Sequence, residues 1–269
     1  MTTTNKVNPK EAVEFLRNQL ERKAKVTNFR KRPSIKCFVG GTGKRQWASC
    51  SGITEALRLA FYPMYDHRGA KREGLYGSQL ALAKQPFRRD PKRECRYKKR
   101  KTKGMELGRK IDGQLRRMIN GEGLPVKRPE PIARDMFDAQ LKWGWIPLAS
   151  QLPCVMPAIR YGTLIDEMAL DRDGGFVLVE NKVGFLDYMH LSRGKMHGPL
   201  SQISDCPLNQ HFIQLAFMKM MLERIHKIPL ASCWVVQGTA SGVTPYRLPE
   251  WAIQKGDAMW KYFCEFVKK

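Results

Sequence analysis

Residues 161–183 read YGTLIDEMALDRDGGFVLVENKV. Two apolar runs, Thr163–Leu170 and Phe176–Val183, flank Asp171–Gly175. Runs of strand length joined by a Gly- and Asp-rich break predict a β-hairpin. A turn centred on Asp173 places Asp166 opposite Glu180. Side-chain alternation then puts Lys182 on the face of Glu180, and a slip of one residue would separate them. On this reading Leu164, Met168, Leu170, Phe176 and Leu178 share that face, while Ile165, Ala169, Val177, Val179 and Val183 share the other. A surface hairpin with ordinary charges would show polar residues alternating along one solvent face. Here both faces read as covered, so the three charged groups belong at the edge of a core.

Two facing carboxylates repel, and one of them takes a raised pKa. A divalent cation between them removes that penalty. Oxygen-only ligands suit Mg²⁺ or Mn²⁺. A lysine two positions on can orient or deprotonate water bound to such an ion.

The whole chain has 269 residues, enough for one large domain or two small ones. Its 48 basic residues against 25 acidic give a net charge of +23, which points to a polyanionic partner such as nucleic acid. An anionic membrane surface is the weaker alternative, because no basic amphipathic stretch stands out. No apolar run approaches a bilayer span, and the N-terminal residues do not read as a secretory signal. The seven cysteines form no C-x-x-C pair. Reduced thiols of an intracellular protein fit that pattern; a zinc finger or iron–sulfur cluster does not.

Working outward, helical spacing predicts an amphipathic helix over Pro9–Ala24, and residues 1–36 read as an arm on the core or a DNA-contacting extension. Gly40–Lys44 departs from the P-loop pattern, since Phe38 stands where its first glycine belongs and Arg45 follows the lysine. A glycine-rich turn is the reading. Ser51 or Thr54 then caps a helix that ends before Pro63; the same groups, with Arg45, are candidate phosphate contacts. From Lys84 to Lys103 there are 11 basic and 2 acidic residues. This run, including Lys98, Lys99, Arg100 and Lys101, reads as a solvated loop or import signal, as a grip on a phosphate backbone, or as both. A helix is predicted over Gly104–Asn120. Its Asp112 reads as an i,i+4 partner of Arg116 or as a site residue. Further helices are predicted over about Ile132–Trp143, Leu208–Ile225 and Trp251–Lys269, with a buried strand at Ala231–Gln237 and the aromatic WGWIP segment in the core. His190 and His197 read as substrate contacts or plain surface groups. Gln210 and Gln214 are one turn apart on one helix face.

The order helix, strand with Asp166, strand with Glu180-Asn-Lys182, helix with Gln214, strand resembles the PD-(D/E)XK nuclease superfamily. Within it the chain is similar to the lambda-exonuclease and RecB-type branch. Gly108-Arg-Lys-Ile-Asp112 is similar to that branch's G-x-x-h-H motif, with Asp112 where many relatives have His. Gln214-Leu-Ala-Phe-Met218 is similar to its Q-x-x-x-Y motif, with Met218 in place of Tyr. Ser51-Gly-Ile-Thr54 is similar to its S-h-T segment. The resemblance implies an α/β fold, a central mixed sheet flanked by helices with a restriction-endonuclease-like core at 104–269, while residues 1–103, which match the family poorly, read from spacing and charge as a helical and basic DNA-contacting region. The resemblance also implies that Asp166, Glu180, the Asn181 carbonyl and Asp112 hold Mg²⁺ or Mn²⁺. Lys182 would help generate the attacking hydroxide, and Gln214, with Gln210 beside it, would steady water or substrate. Function is expected to be DNA exonuclease activity in replication, recombination or repair. A structure-specific endonuclease and a non-catalytic nucleic-acid-binding protein are the competing classes. Oligomerisation is open, as is a nuclear, cytoplasmic, viral or phage setting.

Overall fold

In a computed structural model of the chain, the residues described are 8–26, 30–32, 37–39, 57, 61, 106–122, 130–156, 161–184, 190 and 194–266. The candidates Arg45, Ser51, Thr54 and Lys98–Lys101 lie outside them, as does the expected boundary at residue 103.

Helix α1 (Pro9–Val26) opens with Pro9, whose missing N–H costs nothing at a helix start, and the Asn8 side chain accepts the Lys10 N–H at 3.0 Å. Strands β1 (Arg30–Arg32) and β2 (Cys37–Val39) form a small antiparallel pair. Helix α2 spans 106–119, and α3 spans Pro131–Lys142. Three strands follow: β3 (Ile146–Met156), β4 (Tyr161–Leu170) and β5 (Phe176–Val183). Helix α4 (Pro207–Met220) continues as a π turn over Met221–Ile225, so the long helix expected there changes its winding in the last turn. Strands β6 (Ser232–Thr239) and β7 (Gly242–Arg247) precede α5 (Glu250–Gln254) and α6 (Gly256–Phe266).

The main sheet is mixed, in the order β3-β4-β5-β6-β7, and only β5 and β6 run parallel. A parallel neighbour needs a crossover, and α4 lies in the connection between these strands. Helices cover both faces. On one, α1, α4 and α6 pack a core with Leu16, Leu20, Phe217 and Phe263 fully buried, together with Met168, Leu170 and Leu178 of the sheet. On the other, Ile111 and Leu115 of α2 and Met136 of α3 pack against Ala169, Val177, Val179 and Val236. Gly238 allows the close approach of α3, since a Cβ there would lie 2.5 Å from the Met136 sulfur. Each fully buried apolar side chain contributes about 1.5–3 kcal/mol relative to exposure. The chain therefore forms an α/β fold with a five-stranded mixed sheet between helical layers. Among the described residues no helix is long and apolar enough to cross a membrane.

The hairpin at residues 161–183 takes the expected register. Glu167 pairs with Val179, Met168 with Leu178, Ala169 with Val177 and Leu170 with Phe176. Its turn is held by Asp171, whose Oδ1 accepts the N–H of Asp173 at 3.0 Å and of Gly175 at 2.8 Å. Gly174 supplies the positive φ of 84° that the turn needs. One expectation fails. Ile165 joins the larger core with Met168 and Leu170 instead of sharing a face with Ala169. The alternation breaks at Asp166: β3 pairs Ser150 with Glu167 and Leu152 with Ile165, and neither Gln151 nor Asp166 between them pairs. Gln151 there has φ 59°.

Candidate active site

β4 and β5 are neighbours, so acids near the ends of their shared ladder are brought together by register alone. Asp166 immediately precedes Glu167, the β4 residue at the end of the ladder far from the turn, and the backbone N–H of Asn181 donates to Asp166 Oδ2 at 3.2 Å. Glu180 is 1% exposed. Its Oε1 accepts from Lys182 Nζ and, at 2.8 Å, from Gln214 Nε2 on α4. Its Oε2 is buried with no hydrogen-bond partner among the described residues. Glu180, Lys182 and Gln214 therefore form a charge-assisted chain.

The electrostatics follow from this crowding. Burial raises the Asp166 pKa well above the usual carboxylate range, the Glu180 charge and Asp112 push the same way, and Lys182 and the Asn181 N–H oppose them. Burial pulls Lys182 down, but the Glu180 and Asp166 carboxylates outweigh it and hold the ammonium above its usual value. Without an added cation, Lys182 is thus a charged donor rather than a base. Asp112, Asp166, Lys182, Asn181 and Gln151 line a cavity of about 270 Å³.

Asp166 and Asp112 line the cavity and Glu180 Oε2 is a buried oxygen without a hydrogen-bond partner among the described residues, so these acids offer only hard oxygen donors. That donor set fits Mg²⁺ or Mn²⁺. Among the described residues, however, no three His, Cys, Asp or Glu side chains already converge as a metal cage.

The remaining candidates are distributed unevenly. Gln210 lies one turn before Gln214, but its amide donates to Asp205 at 2.7 Å, away from the carboxylates. His190 is exposed against the Tyr246 ring, and the His197 backbone N–H donates to the Phe61 carbonyl at 2.7 Å.

Two groups escaped sequence reasoning. His211, three residues before Gln214, faces Lys182: burial lowers its pKa well below the usual value, and the lysine charge adds to that. Its i,i+3 spacing from Gln214 was the available signal. Glu167 is fully buried between β4 and α3. Its Oε2 accepts from Gln140 Nε2 at 3.0 Å and Asn181 Nδ2 at 2.7 Å. Burial raises its pKa to about 7, despite those two bonds.

No protein-family description matches the chain, and no curated protein matches it. A solved structure titled "Crystal structure of SSO0001" is similar at 14% identity and a TM-score of 0.27. The match covers 40% of this chain and 41% of that one, a likeness too slight to carry an argument.

Proposed function

We propose that this protein is a Mg²⁺- or Mn²⁺-dependent deoxyribonuclease of the PD-(D/E)XK type, with a restriction-endonuclease-like core, acting as a DNA exonuclease. The observation that carries this reading is the hairpin register: Asp166 comes beside a buried Glu180 whose carboxylate is bonded to both Lys182 and Gln214. The net charge of +23 supports a polyanionic substrate.

Bound cations supply charge stabilisation for the phosphorane-like transition state and acidify the attacking water. This chain's own residues do the rest. Asp166, Glu180, Asp112 and the Asn181 carbonyl would hold the ions. Lys182, an ammonium beside Glu180, donates toward the attacking oxygen or a phosphate oxygen and so orients it. Gln214 fixes the Glu180 carboxylate in one rotamer. Ile111 and Met136 form the apolar wall that limits water on the α2 side of the cavity.

A second reading is a non-catalytic nucleic-acid-binding protein. It is favoured by the absence of a ready-made three-acid cage among the described residues. One assay separates the readings. End-labelled linear DNA, single- and double-stranded, is incubated beside a covalently closed circle with Mg²⁺, Mn²⁺ or EDTA, using Glu180→Ala as control. Metal-dependent loss of linear DNA alone, absent in the variant, is the expected result. Cutting of the circle indicates an endonuclease. Salt-sensitive binding without cleavage in either metal indicates the binding protein.

A further inference from the structure

The cavity beside Asp166 contains one polar side chain to which the reading above gives no task. Gln151 has φ 59°, one of two positive values outside glycine among the described residues. Such a conformation is strained in a residue with a Cβ and persists only where the surroundings impose it. The strain falls at the step between the Ser150–Glu167 and Leu152–Ile165 pairs, across from Asp166. A regular strand would send successive side chains to alternate faces. The break instead leaves Gln151 lining the cavity with Asp112, Asp166 and Lys182. No hydrogen bond to its amide occurs among the described residues.

We infer that Gln151 is a substrate-contact residue: its carboxamide N–H donates to a non-bridging phosphate oxygen of the strand held at Asp166. A carboxamide suits this position. It offers donors without adding negative charge beside two carboxylates, and without a second ammonium that would compete with Lys182 for Glu180. The inference rests on the nuclease reading, and it adds a contact that the Asp166, Glu180 and Lys182 pattern does not contain.

The backbone conformation makes the test clean. Glycine adopts φ near 59° without strain, so Gln151→Gly removes the amide while relieving the backbone. If Gln151 is a contact residue, Gln151→Gly keeps a melting temperature at or above that of the wild type, yet kcat/KM on linear DNA falls roughly tenfold. Mn²⁺ affinity, read by calorimetry without substrate, stays unchanged. Gln151→Glu, which faces phosphate with a negative charge, loses more activity than Gln151→Gly. A wild-type protein that cleaves, with Gln151→Gly equally fast, overturns this inference alone. So does a Gln151→Gly protein whose activity falls only in step with its melting temperature. A wild type that cleaves nothing in Mg²⁺ or Mn²⁺ overturns the nuclease reading and this inference with it.

Discussion

Glu180 and Glu167 are both buried and lie on the two adjacent strands of the central hairpin. Their partners differ. Glu180 is met by the Lys182 ammonium and by Gln214 from α4. Glu167 is met by two neutral amides, Gln140 from α3 and Asn181. Neutral donors do not offset the cost of burying its charge, and its pKa rises to about 7. Glu180 instead has an ammonium within hydrogen-bond reach. A nearby positive charge thus distinguishes the surroundings of these two equally buried acids.

The largest test of that contrast removes the cation. Lys182→Ala should lower cleavage at least about a thousandfold. Stripped of metal, it should also lose roughly 3–5 kcal/mol in urea unfolding, because the Glu180 charge is left buried and unpaired. A fully active Lys182→Ala protein would sink the site assignment.

Next in size is Asp166. A cation and a proton compete for it, and its raised pKa brings that competition toward neutral pH. Mn²⁺ affinity should weaken as pH falls through that pKa, and binding should release protons. Asp166→Asn should weaken binding about a hundredfold and abolish this pH dependence. Calorimetry in buffers of different ionisation heat reads both.

Gln214→Ala should reduce kcat about tenfold and leave KM nearly constant, as expected for a group that holds a ligand in place rather than touching substrate. A change confined to KM would place Gln214 on the substrate instead.

The smallest catalytic effect belongs to Glu167. Its carboxyl pKa is raised on folding from 4.5 to about 7, so the folded state binds the proton more tightly. The stability this contributes is complete below about pH 4.5 and is lost as pH rises through 7, up to about 3 kcal/mol. Glu167→Gln keeps an acceptor for both amides without that charge. Its stability in EDTA should exceed that of the wild type at pH 8 and match it more nearly at pH 5, with cleavage altered less than tenfold. Equal stabilities at pH 8 would contradict the assigned pKa.

Much of the hairpin was legible because its pattern is local. Two apolar runs and the Asp171–Gly175 break give the register, and the register brings Asp166, Glu180 and Lys182 together. Gln214 was legible as one turn of a helix, whereas Gln210, on the same face by spacing, turned out to serve Asp205. Spacing gives a face but not the identity of the neighbour on it. β3 and β7 were not anticipated as strands: Pro147, Pro153 and Pro245 interrupt the usual pattern, and both strands lie at sheet edges, where proline is tolerated. The break at Gln151 could not be read, since a positive φ in a glutamine leaves no trace in composition or periodicity. Glu167 was hidden because strict alternation assigns it to the face opposite Asp166, and nothing in sequence shows the break at Asp166 or that Gln140 of α3 meets Glu167.

The most direct test of the account is a crystal of the protein grown with Mn²⁺ and measured for anomalous scattering. The expected result is a peak touching the Asp166 and Glu180 carboxylates, with Lys182 released from Glu180 toward the cavity. A site without manganese, or one in which Lys182 still holds Glu180 and the metal lies elsewhere, would contradict it.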